Sequence, residues 1–141
     1  MNPQRKSCAL LADKHTRYIE GVRGLLETEF DTIFTVADAG SLKEGTNRLQ
    51  PTVIVVDISF ATGDFSGMIK QIRSSSPASK VIALTVHRES AALDAMLSAG
   101  AHGVVLRHNI ARDLMTAIDV TLEGDKFVPL GVRPVEQQIL N

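Results

Sequence analysis

Val53-Ile54-Val55-Val56-Asp57 is an aliphatic run with no polar break, closed by a carboxylate. A strand with one wet face alternates apolar and polar positions, so an unbroken β-branched run describes a strand covered on both faces. Three other runs share the design: Ala9-Leu10-Leu11-Ala12 ends on Asp13, Val81-Ile82-Ala83-Leu84 on Thr85, and Val104-Val105-Leu106 on Arg107. If these are neighbouring parallel strands, their terminal side chains meet at one edge of the sheet, where open α/β sheets bind ligands. Two carboxylates, a hydroxyl and a guanidinium gathered there describe a site for phosphate or metal chemistry.

Between the runs the apolar spacing changes to the helical period. Tyr18, Ile19, Val22, Leu25 and Leu26 follow Thr16, which reads as an N-cap, and Thr32 to Val36 reads as a further strand. Ser41-Leu42-Lys43-Glu44 reads as a capping box opening a helix that reaches Leu49 and stops at Pro51. Phe65, Met68, Ile69 and Ile72 mark the next helix, ended by Ser74-Ser75-Ser76-Pro77. Ala91 to Ala99 form a helix closed by Gly100; Asn109 caps the last, whose stripe is Ile110, Leu114, Ala117, Ile118 and Leu122, with Gly124 closing it. Strict alternation of strands and helices predicts one doubly wound (βα)5 α/β domain with a parallel sheet and right-handed crossovers. Pro129, Gly131 and Pro134 interrupt any regular pattern. Residues 1–127 are therefore read as the domain and 128–141 as a linker or tail.

The 141 residues suffice for one ordinary core, and 44% hydrophobic with 22% charged residues is a globular composition rather than a disordered one. A net charge of −1, with both signs scattered, gives no footprint for nucleic acid or an anionic membrane. Cys8 is the only cysteine, which excludes an internal disulfide and fits a reducing compartment. The apolar stretch after Lys6 is too short for a signal-peptide core and no segment is long enough to span a bilayer, so the chain is expected to be cytoplasmic.

Four segments carry a resemblance. Leu10-Leu11-Ala12-Asp13-Lys14-His15, Val55-Val56-Asp57-Ile58-Ser59, Ile82-Ala83-Leu84-Thr85, and Ala99 through Arg107 resemble the signatures of response-regulator receiver domains, most closely the NarL/FixJ kind that precedes a LuxR-type helix-turn-helix. The likeness covers about residues 7 to 126, and its specificity lies in the four ordered strand ends. It implies a flavodoxin-like sheet of order 2-1-3-4-5. It also implies a signalling domain, not an enzyme, in which Asp57 accepts a phosphoryl group from a sensor histidine kinase and controls an output domain, most often one acting on transcription. By the same resemblance Asp13, Asp57 and the backbone carbonyl of Ser59 hold Mg²⁺, while Thr85 and Arg107 contact the phosphoryl oxygens. Implied partners are the kinase and a second copy of the chain; DNA is reached only through an output domain missing from this sequence. Arg133 to Leu140 resemble the opening of that domain's first helix, so the chain is expected to be cut from a longer transcriptional regulator.

Departures from the pattern matter as much as the matches. Receivers carry two adjacent acids after the first strand, whereas Asp13 is followed here by Lys14. The usual lysine after the fifth strand is Arg107, whose planar fork either binds phosphate or locks Asp57. The usual pocket of three carboxylates and one lysine sums to −2; two carboxylates with Lys14 and Arg107 sum to zero, so the pull on Mg²⁺ is weakened or lost. Val104 replaces the aromatic of the usual hydroxyl–aromatic relay, and His108 replaces a common proline. A bland reading stands beside each: Asp57 as a turn former, Lys14 as a solvated loop residue, Thr85 as an ordinary strand residue, Arg107 as a surface cation, and the four histidines as structural or exposed. A phosphatase would want a carboxylate where Ser59 stands, and no phosphate-cradling glycine motif or nucleophile elbow occurs. The rival that remains is a pseudo-receiver, which keeps the fold and signals by protein contact without phosphorylation because Lys14 replaces the second acid.

Overall fold

The computed structural model describes residues 6–61 and 63–129; the stretch from Arg133 to Leu140 and the side chains of residues 16–19 lie outside what is described. Strands and helices alternate: β1 (Lys6–Ala12), α1 (Thr16–Glu27), β2 (Phe30–Val36), α2 (Ala39–Leu49), β3 (Val53–Asp57), α3 (Phe65–Ser75), β4 (Lys80–Thr85), α4 (Ser90–Ala99), β5 (Gly103–Leu106) and α5 (Ile110–Leu122). Short 3-10 turns at Ile58–Phe60 and Arg107–Asn109 follow β3 and β5. The sheet runs β2-β1-β3-β4-β5 with every pairing parallel, the doubly wound, flavodoxin-like order that the receiver-domain resemblance implies.

The aliphatic runs are buried on both faces because successive strand side chains point opposite ways. Leu11, Val55, Ile82, Leu84 and Val105 pack against Val22 and Leu26 of α1 and Leu114, Ala117 and Ile118 of α5. On the other face Leu10, Ile54 and Val56 meet Leu42 of α2 and Ile72 of α3. Ala83 and Val104 meet Ile69 of α3 with Leu93 and Met96 of α4.

Register then positions the strand ends. Ala12 pairs with Val56, so the residues that follow, Asp13 just past β1 and Asp57 at the last position of β3, stand side by side at the sheet edge. Thr85 pairs with Leu106, which carries Arg107 one step past the sheet edge.

Several local details differ from the sequence reading. Helix α2 begins at Ala39, and its cap is Asp38, whose Oδ1 accepts from the Ser41 amide at 2.7 Å and whose Oδ2 accepts from the Ser41 hydroxyl at 3.0 Å. A carboxylate outcompetes a hydroxyl for the helix N–H groups, so Ser41 becomes the donor and Glu44 pairs with Arg48 instead. The N-cap position of α1 belongs to His15 rather than Thr16, and Asn109 makes no side-chain cap bond because a 3-10 turn leads directly into α5. Beyond α5 the chain returns to the sheet: Phe127 bridges Gly103 in parallel, its amide bonding the His102 carbonyl at 3.2 Å and its carbonyl accepting from Val104 at 3.0 Å. Pro129 is buried.

Candidate functional site

Asp13, Asp57, Thr85 and Arg107 converge, although β1, β3, β4 and β5 bring them from distant parts of the chain. All four are buried, Asp13 completely and Arg107 with 9% of its surface exposed. Asp13 and Asp57 leave adjacent strands, and the Nη1 of Arg107 lies between them, 3.1 Å from Asp13 Oδ2 and in direct contact with Asp57 Oδ2. The second oxygen of each carboxylate turns back to its own loop. Asp13 Oδ1 accepts from the His15 amide at 2.8 Å and lies 3.0 Å from His15 Nδ1, and Asp57 Oδ1 accepts from the Ser59 amide at 2.8 Å. Each acid thus closes an Asx turn where its strand ends, which fixes the direction of its carboxylate.

Three of the four carboxylate oxygens accept hydrogen bonds from the chain itself, and the fourth, Asp57 Oδ2, meets Arg107 as an ion pair without a hydrogen bond. Two buried anions flanking one buried cation are held by geometry, and truncating the cation would leave uncompensated charge at a cost of about 3–5 kcal/mol. Thr85 Oγ1 accepts from the His87 amide at 2.9 Å, which leaves the hydroxyl proton for another acceptor.

Asp57, Thr85 and Arg107 open onto a cleft of about 650 Å³ whose walls also include Ser59, His15 and His87, while Asp13 lies behind it. Its polar lining is concentrated at the strand ends, while Ile58, Phe65 and Val86 supply apolar walls. Val86 is 68% exposed, so the rim beside Thr85 presents a large apolar side chain to solvent.

Lys14 stands apart from this arrangement. It is exposed, with its ammonium 5.5 Å from the Phe60 ring centroid, a cation–π contact outside the cleft lining. Of the two cations weighed from the sequence, the one between the carboxylates is Arg107. The other histidines are separated by position: His87 is exposed at the cleft, His108 is exposed, and His102 is half-buried behind β4, where its Nδ1 accepts from the Val81 amide at 3.0 Å. His15, read from its spacing as structural or exposed, is exposed, and it also joins Asp13 and Asp57 in a cluster whose potential ligand atoms lie within 4.8 Å of one another. Its separation of two residues from Asp13, the span of an Asx turn, is the signal that points to this contact.

The profile of the response regulator receiver domain matches residues 9–119. The chain is 29% identical over 136 residues to the transcriptional regulatory protein RcsB of Escherichia coli K12, covering 92% of this chain and 62% of that protein. The isolated receiver domain of RcsB from Salmonella enterica serovar Typhimurium in its apo form superposes with a TM-score of 0.81 at 27% identity, over 95% of this chain and 98% of that one. RcsB of the same organism, solved bound to promoter P1flhDC with the phosphomimetic BeF3⁻, superposes with a TM-score of 0.77 at 28% identity, over 89% of this chain and 63% of that one. The present chain thus spans somewhat under two thirds of the length of the curated relative it matches. Among the described residues no helix is long and apolar enough to cross a membrane.

Proposed function

Because the chain belongs to the response regulator receiver domain family, we propose that it accepts a phosphoryl group on Asp57 from the phosphohistidine of a sensor histidine kinase and thereby controls an output domain. The observation that carries this reading is the company Asp57 keeps: a carboxylate at a strand end, on the wall of an open cleft, with the Thr85 hydroxyl and the Arg107 guanidinium on the same wall. A carboxylate oxygen of Asp57 attacks phosphorus; the new P–O bond forms as the P–N bond breaks, and the imidazole leaves with the bonding pair and takes up a proton. Before attack, Asp57 Oδ2 gives up its contact with Arg107, whose fork then turns to the phosphoryl oxygens. Thr85, with its proton uncommitted, donates to another of those oxygens.

Receiver domains hold Mg²⁺ through acidic residues, and the pair available for it here is Asp13 and Asp57, with the Ser59 carbonyl as a third oxygen. The donor set does not fit that ion as arranged. Mg²⁺ demands a near-octahedral shell of oxygens, whereas Lys14 stands in place of a second acid and the inward carboxylate oxygens already meet Arg107.

The output assigned to the site is transcription, through a DNA-binding domain beyond residue 127, in a cytoplasmic regulator that acts as a homodimer. Support comes from the similarity to RcsB, which has been solved on promoter DNA. The test is intact-mass spectrometry after incubation with acetyl phosphate, with and without Mg²⁺. One added phosphoryl group, lost in Asp57→Asn, is expected; an unchanged mass under conditions that label an ordinary receiver would overturn the proposal.

The second reading, a pseudo-receiver acting through protein contact alone, draws on one observation: Arg107 closes directly on Asp57 Oδ2. In that case Asp57 stays unlabelled. Labelling gained by Lys14→Asp would trace the defect to the missing acid.

A further inference from the structure

We infer that Arg107 is the resident cation of this pocket, standing where a divalent ion would bridge the two strand-end carboxylates, and that it excludes such an ion from the site. The inference deepens the assignment of Asp57 as the centre of the site and rests on it.

Three observations carry it. First, a single nitrogen, Arg107 Nη1, faces the inward oxygen of both acids, Asp13 Oδ2 and Asp57 Oδ2. This is the bridging position that a cation shared by β1 and β3 would take. Second, the outward oxygens are committed as well, to the His15 backbone and ring on one side and to the Ser59 amide on the other. A metal would have to break contacts to each acid rather than enter a prepared cage. Third, the guanidinium is almost fully buried and tethered, so it competes at a high local concentration that solvent ions do not match. It is also always charged, whereas a lysine at the same place would be a smaller, strongly hydrated and more readily displaced point charge. Lys14 is not the obstacle, since its ammonium lies out over Phe60.

The neighbouring histidine sharpens the choice of ions. Asp13, His15 and Asp57 offer two oxygens and a nitrogen, a set better suited to a transition ion than to Mg²⁺. If any divalent ion displaced Arg107, Mn²⁺ or Zn²⁺ would do so before Mg²⁺. The test therefore uses Mg²⁺, Mn²⁺ and Zn²⁺, each titrated into the whole chain, with calorimetry and thermal unfolding as readouts.

The native chain is expected to show no saturable heat and no rise in Tm with any of the three at millimolar concentration. Lys14→Asp restores the missing acid, and adding Arg107→Gln to it is expected to tighten Mn²⁺ at least tenfold. Lys14→Asp with Arg107→Lys, which retains a charge and protects folding if the glutamine variant is unstable, is expected to fall between them. Saturable binding of any of the ions by the native chain overturns the inference. So does equal affinity in Lys14→Asp with and without the change at 107, because Arg107 would then not be the excluding group. Phosphoryl labelling is scored separately by mass: a chain that excludes Mn²⁺ yet never labels removes the phosphoacceptor reading alone, and one that labels and binds Mn²⁺ removes this one alone.

Discussion

Asp57 and Arg107 are joined in a buried contact, yet losing one is not equivalent to losing the other. Arg107→Ala leaves two carboxylates facing each other without their cation, so urea unfolding at neutral pH should show a loss of about 3–5 kcal/mol. Asp57→Asn keeps shape and leaves Asp13 to pair with Arg107, so a smaller loss is expected; equal losses would show that the three groups do not act as one electrostatic unit. A second titratable group lies away from the site. Burial, with the charges of Arg73, Lys80 and Lys126 adding to it, pushes His102 down to about 4, and its neutral Nδ1 accepts from the Val81 amide. Because the folded value lies below the unfolded one, this contribution is complete above about pH 6.5 and is lost as pH falls toward 4. The ring is only partly shielded from solvent, so an effect on the order of 2 kcal/mol is expected. His102→Gln should flatten that part of the stability profile; parallel acid losses in native and variant chains would refute the assignment.

At the scale of elements, the helix ends show where local sequence is and is not sufficient. Gly100 closes α4 with φ of 123°, and a Cβ there would lie 2.9 Å from Arg73 Cγ, whose Nη1 donates to the Gly100 carbonyl at 2.8 Å. Gly100→Ala is expected to lower stability by about 1–3 kcal/mol, read as a fall in Tm, through backbone strain and displacement of Arg73. The glycine is legible as a helix stop; the arginine behind it, arriving from α3, is not. Gln50 is the opposite case. It ends α2 with φ of 45°, a region that favours glycine, yet its Nε2 donates to the Asn47 carbonyl at 2.8 Å and across to the Ser75 carbonyl at 2.9 Å, tying α2 to α3. Gln50→Gly should therefore destabilise by about 1 kcal/mol despite relieving the backbone, because the lost bonds outweigh the relief. A gain in Tm would show that the relieved strain exceeds the worth of those bonds.

For the whole molecule, the sheet does not end with β5. Phe127 lies along the outer edge of β5, and Gly103 faces it so closely that a Cβ would sit 3.3 Å from both Phe127 Cβ and Thr121 Cγ2. The segment after α5 thus covers the edge that β5 would otherwise expose. We propose that the folding unit extends at least through Phe127. Phe127→Ala should lower stability by about 1–3 kcal/mol in a single cooperative transition; an unchanged midpoint would mean that the domain closes at α5.

Fold class, strand ends and the identity of the clustering side chains were legible in the sequence, because short unbroken aliphatic runs alternating with helical periods fit strands covered on both faces and each run ends on a distinctive residue. Which cation stands between the acids was not. Lys14 neighbours Asp13 in the chain, yet its flexible stem carries the charge out over Phe60, while Arg107, ninety-four positions from Asp13, is delivered between the carboxylates by the register of β5 beside β4. Periodicity reports which residues reach the sheet edge; only the packed sheet decides the ångström-scale distances among them, and charge interactions in a buried site depend on those distances.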